Sequence, residues 1–299
     1  MRILFIGESY LPQLCGMTAV TRYLAEGLVS RGHKVGIATQ SHFDNDKNVE
    51  ILNGVEINRF RIRRNLLKYP VGELKLFIDF VLRSEYDVYI FECIGSLTSD
   101  ILMPYIDKIR GLKILHTHGN WFKTMHPFVI RQNLKFTLGN TYNYLRLWFQ
   151  NLYSYPKFIK SFDEVIILSS VSSDKEIVCE NACKYEVLDN AADDIFFEEY
   201  NKVEPLNYPL QTKYNKYIIS IANFQKVKNQ MLMVRSYYES DLTDVSLVMI
   251  GSKKNDYYQL VADYVSKQSK KYPRKDVVML TGVERKKIPN ILKFHLLKR

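Results

Sequence analysis

MRILFIGESYLPQLCGMTAVTRYLAEGLVSRGHKVGIAT, residues 1–39, decides the fold. Met1 to Gly7 is a short apolar run, and a polar loop with Pro12 follows from Glu8 to Cys15. Gly16-Met17-Thr18 opens an amphipathic run, Ala19 to Arg31. Gly32-His33 stops it, and Lys34 to Thr39 is a second apolar strand. Strand, loop, helix and strand in that order read as a right-handed βαβ unit. In such a unit the loop after the first strand faces a ligand crevice. The helix start offers free N–H groups and a partial positive charge, which suit a phosphate. Gly16 is the single glycine of the loop. The stretch is therefore neither G-x-G-x-x-G nor a Walker loop, and a plain helix-entry glycine also fits.

Outward from that unit the alternation continues. Strands are expected at Val55–Phe60, Val88–Phe91, Lys113–Thr117, Val165–Leu168 and Tyr185–Leu188. Helical patterns fall at Thr18–Arg31, Gly72–Ser84, Ser99–Ile109 and Ser172–Asn181. This predicts a parallel sheet covered on both faces. Residues 189–209 are turn-rich, then acidic, then Pro-containing, and read as a connection between domains. A second series follows: strands at Tyr217–Ala222, Ser246–Ile250 and Val277–Leu280, alternating with helices. The expectation is an α/β chain of two Rossmann-like domains, 1–188 and 210–299, the second with a short sheet and an exposed edge.

Composition sets the broad class. With 46% hydrophobic and 25% charged residues the chain reads as globular. No apolar run reaches the roughly 18–20 residues of a membrane span, and the N-terminus reads as a strand without a cleavable signal. Four scattered cysteines give no zinc spacing. The net charge is +10, and Lys108 to Phe162 holds nine cations and no Asp or Glu. Aromatics interleave with these cations. The pattern suits an anionic membrane, a phosphorylated acceptor or a nucleic acid, and also a solvated basic face over an aromatic core. Lys123, Arg131 and Lys135, with Trp121 and Phe122, are the expected surface of that window. No helix-turn-helix, RNP-like or zinc pattern accompanies the charge, which disfavours a nucleic-acid-binding protein.

The ordered set MRILFIGESYLP, CGMTAVTRYLAEGLVSRGHKV, KILHTHGNW, SFDEVIILSS, DNAADDIFF, ISIANFQKVKNQMLMVRSYY, LVMIGS and VVMLTGVERKKIPNIL resembles family 4 retaining glycosyltransferases. The resemblance runs from residue 1 to about 293. It implies the GT-B architecture of two Rossmann-like domains, the first binding the acceptor and the second a nucleotide sugar. It places Gly16 and Met17 beside the donor's diphosphate and His118 beside the sugar and acceptor. In the second domain Lys228 matches a diphosphate-binding lysine, and Asn223 stands where the family has an arginine. Gly251, Gly282 and Val283 fall where loops approach the nucleotide. It implies no cofactor and no obligatory metal, with the nucleotide sugar as co-substrate. It further implies a lipid-linked or saccharide acceptor and a cytoplasmic, peripheral-membrane location. In the family picture the leaving phosphate takes the acceptor's proton, and His118 orients substrate rather than acting as a base.

Two metal readings stay weak on the residues themselves. Asp44-Asn45-Asp46 lies in a polar loop. His116 and His118 share one side of a strand end and suit a metal pair, but no third ligand is evident; a hydrogen-bonded histidine fits as well. The resemblance also implies a Glu-x7-Glu element beyond Lys293, and IPNILKFHLLKR has no match to it. A donor domain cut short, and a chain poor in transfer, is therefore expected. A non-catalytic remnant keeping the acceptor or membrane domain is the competing reading.

Overall fold

The computed structural model describes residues 1–13, 15–42, 47–120, 122, 134–190, 196, 210 and 212–296, with the backbone alone at 134–138, 140 and 293–296. The chain divides into two compact units, Met1–Ala191 and Ala192–Arg299. Apart from residues 189, 190 and 196, the expected connection at 189–209 lies outside the described residues.

The first unit opens with β1 (Arg2–Gly7), α1 (Gly16–Ser30), β2 (Lys34–Gln40), β3 (Val49–Leu52) and β4 (Val55–Phe60). A hairpin of β5 (Ile62–Arg64) and β6 (Pro70–Gly72) follows, then α2 (Leu74–Arg83), β7 (Val88–Glu92) and α3 (Leu97–Leu102). The unit continues with β8 (Leu112–His116), α4 (Leu134–Phe149), a wide π-type turn (Gln150–Ser154), α5 (Tyr155–Lys160), β9 (Glu164–Ile167), α6 (Lys175–Asn181) and β10 (Tyr185–Val187). Its sheet has eight strands in the order β10-β9-β8-β7-β1-β2-β4-β3. Among the described strands of that sheet only β3 is antiparallel, pairing with β4 at the edge.

The strands' period of two decides which core each residue joins. Leu4, Ile6, Tyr89, Phe91 and Leu115 pack with Phe77 of α2, Ile101 of α3 and Phe158 of α5. Ile3, Phe5, Val35, Ile37 and Val88 pack on the other face with Ala25 of α1. Phe91, Phe158 and Phe162 meet edge to face, with centroids 6.0, 5.1 and 4.9 Å apart. Burial on both faces explains why these strands read as nearly continuous apolar runs.

Helix starts differ from the sequence reading. α1 begins at Gly16 because the Cys15 sulfur accepts the Thr18 N–H at 3.4 Å, capping the helix two residues before the expected Thr18. α3 begins at Leu97, where the Ser96 hydroxyl caps it, and ends at Leu102; a 3₁₀ turn, Met103–Lys108, replaces the rest of the expected helix.

The second unit contains β11 (Lys216–Ile221), α7 (Gln230–Glu239), β12 (Val245–Gly251), α8 (Asp256–Lys271), β13 (Asp276–Thr281) and α9 (Ile288–Leu296). Its strands are parallel, in the order β11-β12-β13. One face packs Leu247 and Met249 with Val234 and Val261 of the helices; the other packs Val248 and Ile250 with Ile288 and Ile291 of α9. β13, an edge strand, is half-buried along its whole length.

Candidate functional site

The parallel strands of the first unit end along one edge, and the chemistry collects there. β7 and β8 pair in register so that Glu92 lies beside His116. Both follow the parity of Val88, Ile90 and Ile114, so both face the α1 side of the sheet. Two residues on, His118 turns back toward them. Its Nε2 lies 2.7 Å from Glu92 Oε2, and the two imidazole centroids are 4.6 Å apart. His116 Nδ1 stands 3.2 Å from the same oxygen but makes no hydrogen bond with it. Glu92 is 1% exposed, His116 3% and His118 11%.

Glu92 thus stands close to both imidazoles, which the sequence paired without a third partner. Burial pushes its carboxyl up, but the two imidazoles outweigh burial and hold it down at about 2. The missed signal is a carboxylate ending an otherwise apolar strand, VYIFE. Its long-range pairing with His116 could not be read from spacing.

The neighbouring backbone is unusual. Cys93, directly after Glu92, has φ 71, a left-handed conformation rare for a side-chain-bearing residue. Its N–H donates to His116 O at 2.9 Å, and its thiol meets Met17 Sδ at 3.2 Å. Gly119 has φ 93, which a residue with Cβ would adopt only under strain. The Gly119 N–H donates to Asp174 Oδ2 at 3.1 Å, and the Asn120 N–H to Ser173 Oγ at 2.8 Å. Asn120 Nδ2 donates to Asn151 Oδ1 at 2.6 Å, tying this loop to the π-type turn. The His118 loop is therefore clamped from two sides.

Gly16 opens α1 with nothing within 4 Å of the position its Cβ would take. Burial works against the Cys15 thiolate, but hydrogen bonds from Thr18, Ser9 and Met17 outweigh it and bring the thiol below its ordinary range. Glu8, expected in the crevice, accepts the Leu97 N–H at 2.9 Å and so caps α3. A small cavity of about 120 Å³ opens beside His116, lined by Val20, Tyr23, Leu24, Leu188, Asp189 and Asn190. A wider groove, about 780 Å³, lies elsewhere, with Arg2, Glu56, Asp79 and Arg83 in its walls and none of the expected site residues.

In the second unit the loops after all three strands are joined. The Ser252 N–H donates to Asn223 Oδ1 at 3.3 Å, and the Gly282 N–H to Ser252 O at 3.1 Å. Asn223 therefore braces the rim where the family pattern has an arginine. Lys228 is exposed on a 3₁₀ turn before α7, and Lys253 and Lys254 are exposed beside Ser252. A Cβ on Gly251 would come within 2.5 Å of the Phe224 ring, so this glycine is needed for close packing. Val283 is half-buried against the α9 core.

Among solved structures, sucrose-phosphate synthase from Thermosynechococcus elongatus matches over 98% of this chain and 73% of its own, at 11% identity and a TM-score of 0.62. HepE of Anabaena, in complex with UDP, matches over 98% and 71%, at 14% identity and a TM-score of 0.60. The catalytic domain of starch synthase IV from Arabidopsis thaliana, bound to ADP and acarbose, matches over 97% and 76%, at 12% identity and 0.58. The fold is GT-B. No family model and no curated protein matches the sequence.

Of the surface expected on this GT-B chain, Trp121, Lys123 and Arg131 lie outside the described residues, as do Asp44-Asn45-Asp46, and at Lys135 only the backbone is described. Phe122 is half-buried, its ring 5.2 Å from that of Tyr144, rather than fully exposed. α4 and the π-type turn expose Leu145, Trp148, Phe149, Leu152 and Tyr153. The β5–β6 hairpin, unseen in the sequence, exposes Leu66, Leu67 and Tyr69. Tyr69 of the hairpin neighbours Tyr142 of α4 and pushes its phenol up. Below them Arg64 Nη2 lies 2.8 Å and Arg146 Nη1 3.8 Å from Asp100 Oδ2, joining the hairpin, α3 and α4. No described helix is long and apolar enough to cross a membrane.

Proposed function

We propose that this chain is a glycosyltransferase that moves a sugar from a nucleotide-sugar donor to a saccharide or lipid-linked acceptor, with retention and without a metal. The observation that carries the reading is the GT-B fold, whose solved neighbours hold UDP or ADP. The second unit supplies the donor side: a rim of joined loops at Asn223, Ser252 and Gly282, with exposed Lys228 beside it. A departing diphosphate gains charge as the glycosidic bond breaks, and Lys228 and loop N–H groups stabilise that charge. The first unit supplies the acceptor side at His118, and its N–H groups at the α1 start, Gly16 and Met17, suit the donor's diphosphate. The leaving phosphate takes the acceptor's proton, and His118 orients the substrate.

The acceptor is lipid-linked and the chain works at the inner face of an anionic membrane. Support comes from the exposed residues of α4, set in a sequence window of nine cations and no acid, and from the exposed apolar tip of the hairpin. Each surface cation adds on the order of 1 kcal/mol at such a leaflet.

Incubation with UDP-glucose and ADP-glucose tests the transfer. Release of nucleoside diphosphate is expected, reduced about 100-fold in Lys228→Ala, as for loss of one charge-stabilising donor. No release above buffer from a panel of UDP- and ADP-sugars, with acceptor lipids present, would sink the reading. Co-sedimentation should occur with anionic and not with neutral vesicles. Equal binding to both removes the membrane assignment, and binding to duplex DNA alone would favour a nucleic-acid partner.

A further inference from the structure

The contact between Glu92 and His118 fixes where one proton sits. Glu92 Oε2 is buried between two imidazoles and lies closest to His118 Nε2, and a carboxylate oxygen in such a contact accepts. His118 Nε2, 2.7 Å away, must then carry the hydrogen. In the neutral ring Nδ1 is left with a lone pair. Among the described residues Nδ1 has no partner, and it is not sealed from solvent as His116 Nδ1 and Glu92 Oε1 are. A metal centre on Glu92, His116 and His118 fits less well. Zinc bonds of about 2.0–2.2 Å in a tetrahedron set neighbouring donors about 3.4 Å apart. The 2.7 Å separation is that of a charge-assisted hydrogen bond instead.

We propose that Glu92 is a positioning residue: its carboxylate holds His118 as the Nε2–H tautomer and turns the Nδ1 lone pair to the crevice as an acceptor for a sugar hydroxyl. The sugar half of this statement rests on the transferase reading above; the tautomer half does not. His118 in this form accepts from a hydroxyl and cannot donate to a phosphate. The surrounding backbone serves the same end. The clamped Gly119-Asn120 loop fixes the ring's height, and the left-handed Cys93 turns the chain directly after Glu92.

Long-range ¹⁵N–¹H spectra of the imidazoles at neutral pH, with His118→Gln for assignment, read the tautomer without any substrate. The wild type should show Nε2 protonated and Nδ1 as the acceptor. Glu92→Gln should lose that preference and lower kcat with UDP-glucose or ADP-glucose about 10–100-fold, the usual cost of losing a partner that orients a functional histidine. KM should change by less than about threefold, because the ring remains while its orientation is lost. Glu92→Asp keeps the charge on a shorter arm and should fall between the two; it also serves if Glu92→Gln does not fold. An Nδ1–H tautomer in the wild type, or an unchanged tautomer in Glu92→Gln, overturns the proposal. So does a kcat that ignores loss of the tautomer, or stoichiometric Zn²⁺ binding abolished in Glu92→Gln. A wild type that holds the Nε2–H tautomer but transfers no sugar upholds the pairing and sinks the transferase reading.

Discussion

The two units carry their chemistry in opposite ways at the same place, the C-terminal ends of parallel strands. The first buries it: Glu92 and His116 are nearly sealed, and His118 shows only an edge. The second exposes it: Lys228, Lys253 and Lys254 stand in solvent on a rim braced by backbone and Asn223. Buried ionisable groups are costly to place and hold one geometry. Exposed cations are cheap and adaptable, and they contribute charge more than orientation. On the proposed reading the first unit orients a substrate and the second attracts an anion.

The largest expected effect tests whether the first unit is also the firmer body. Phe158→Ala removes a ring from the aromatic trio and should cost about 3–5 kcal/mol. Gly251→Ala, forcing a methyl toward Phe224 in the second unit, should cost about 1–3 kcal/mol. Urea unfolding followed by hydrogen exchange in each unit separates them; equal losses would break the contrast.

Acid titration comes next. The Glu92 carboxyl lies below its ordinary value in the folded chain, at about 2. Its contribution is therefore complete above the unfolded value near 4.5 and is lost as pH falls toward 2. A few kcal/mol should disappear across that window, on the order of 1.4 kcal/mol for each tenfold change in proton affinity between the folded and unfolded chain. Asp100 has the opposite sign. Burial raises it against the pull of Arg64 and Arg146, so its stabilising share is present at low pH and lost as pH rises. Glu92→Gln should flatten the acid loss, and an unchanged curve would show that Glu92 is not held ionised.

The smallest effect is chemical. Cys15 lies below the usual thiol range, whereas burial pushes Cys93 well above it. Alkylation at neutral pH, followed by peptide mass spectrometry, should label Cys15 at least about tenfold faster. Comparable rates would remove the distinction between the open α1 start and the closed β7 end.

Most of the sheet was legible because each buried strand is a short apolar run with its own punctuation, as in ILFI and VYIF. The β5–β6 hairpin was not, since strands of three residues, one starting at Pro70, carry no period. The early start of α1 was missed because a cysteine caps it, outside the usual Ser, Thr, Asp and Asn set. His118 and Lys228 were singled out through motif resemblance. Glu92 was not, because what makes it important is a register between strands more than twenty residues apart.

Arg59 sits at 5% exposure in β4, two strands away from the crevice. Its guanidinium donates to Leu11 O at 2.6 Å and Lys47 O at 3.2 Å and pairs with Glu50 on the edge strand. The loop after β1 is thus moored to the rim of the sheet as well as to its own flanks. Substitutions in the edge segment 47–50 are not silent for the ligand end, and the two stretches are constrained to drift together. Chimeras that exchange β3 and β4 between related chains would have to carry residues 8–13 with them.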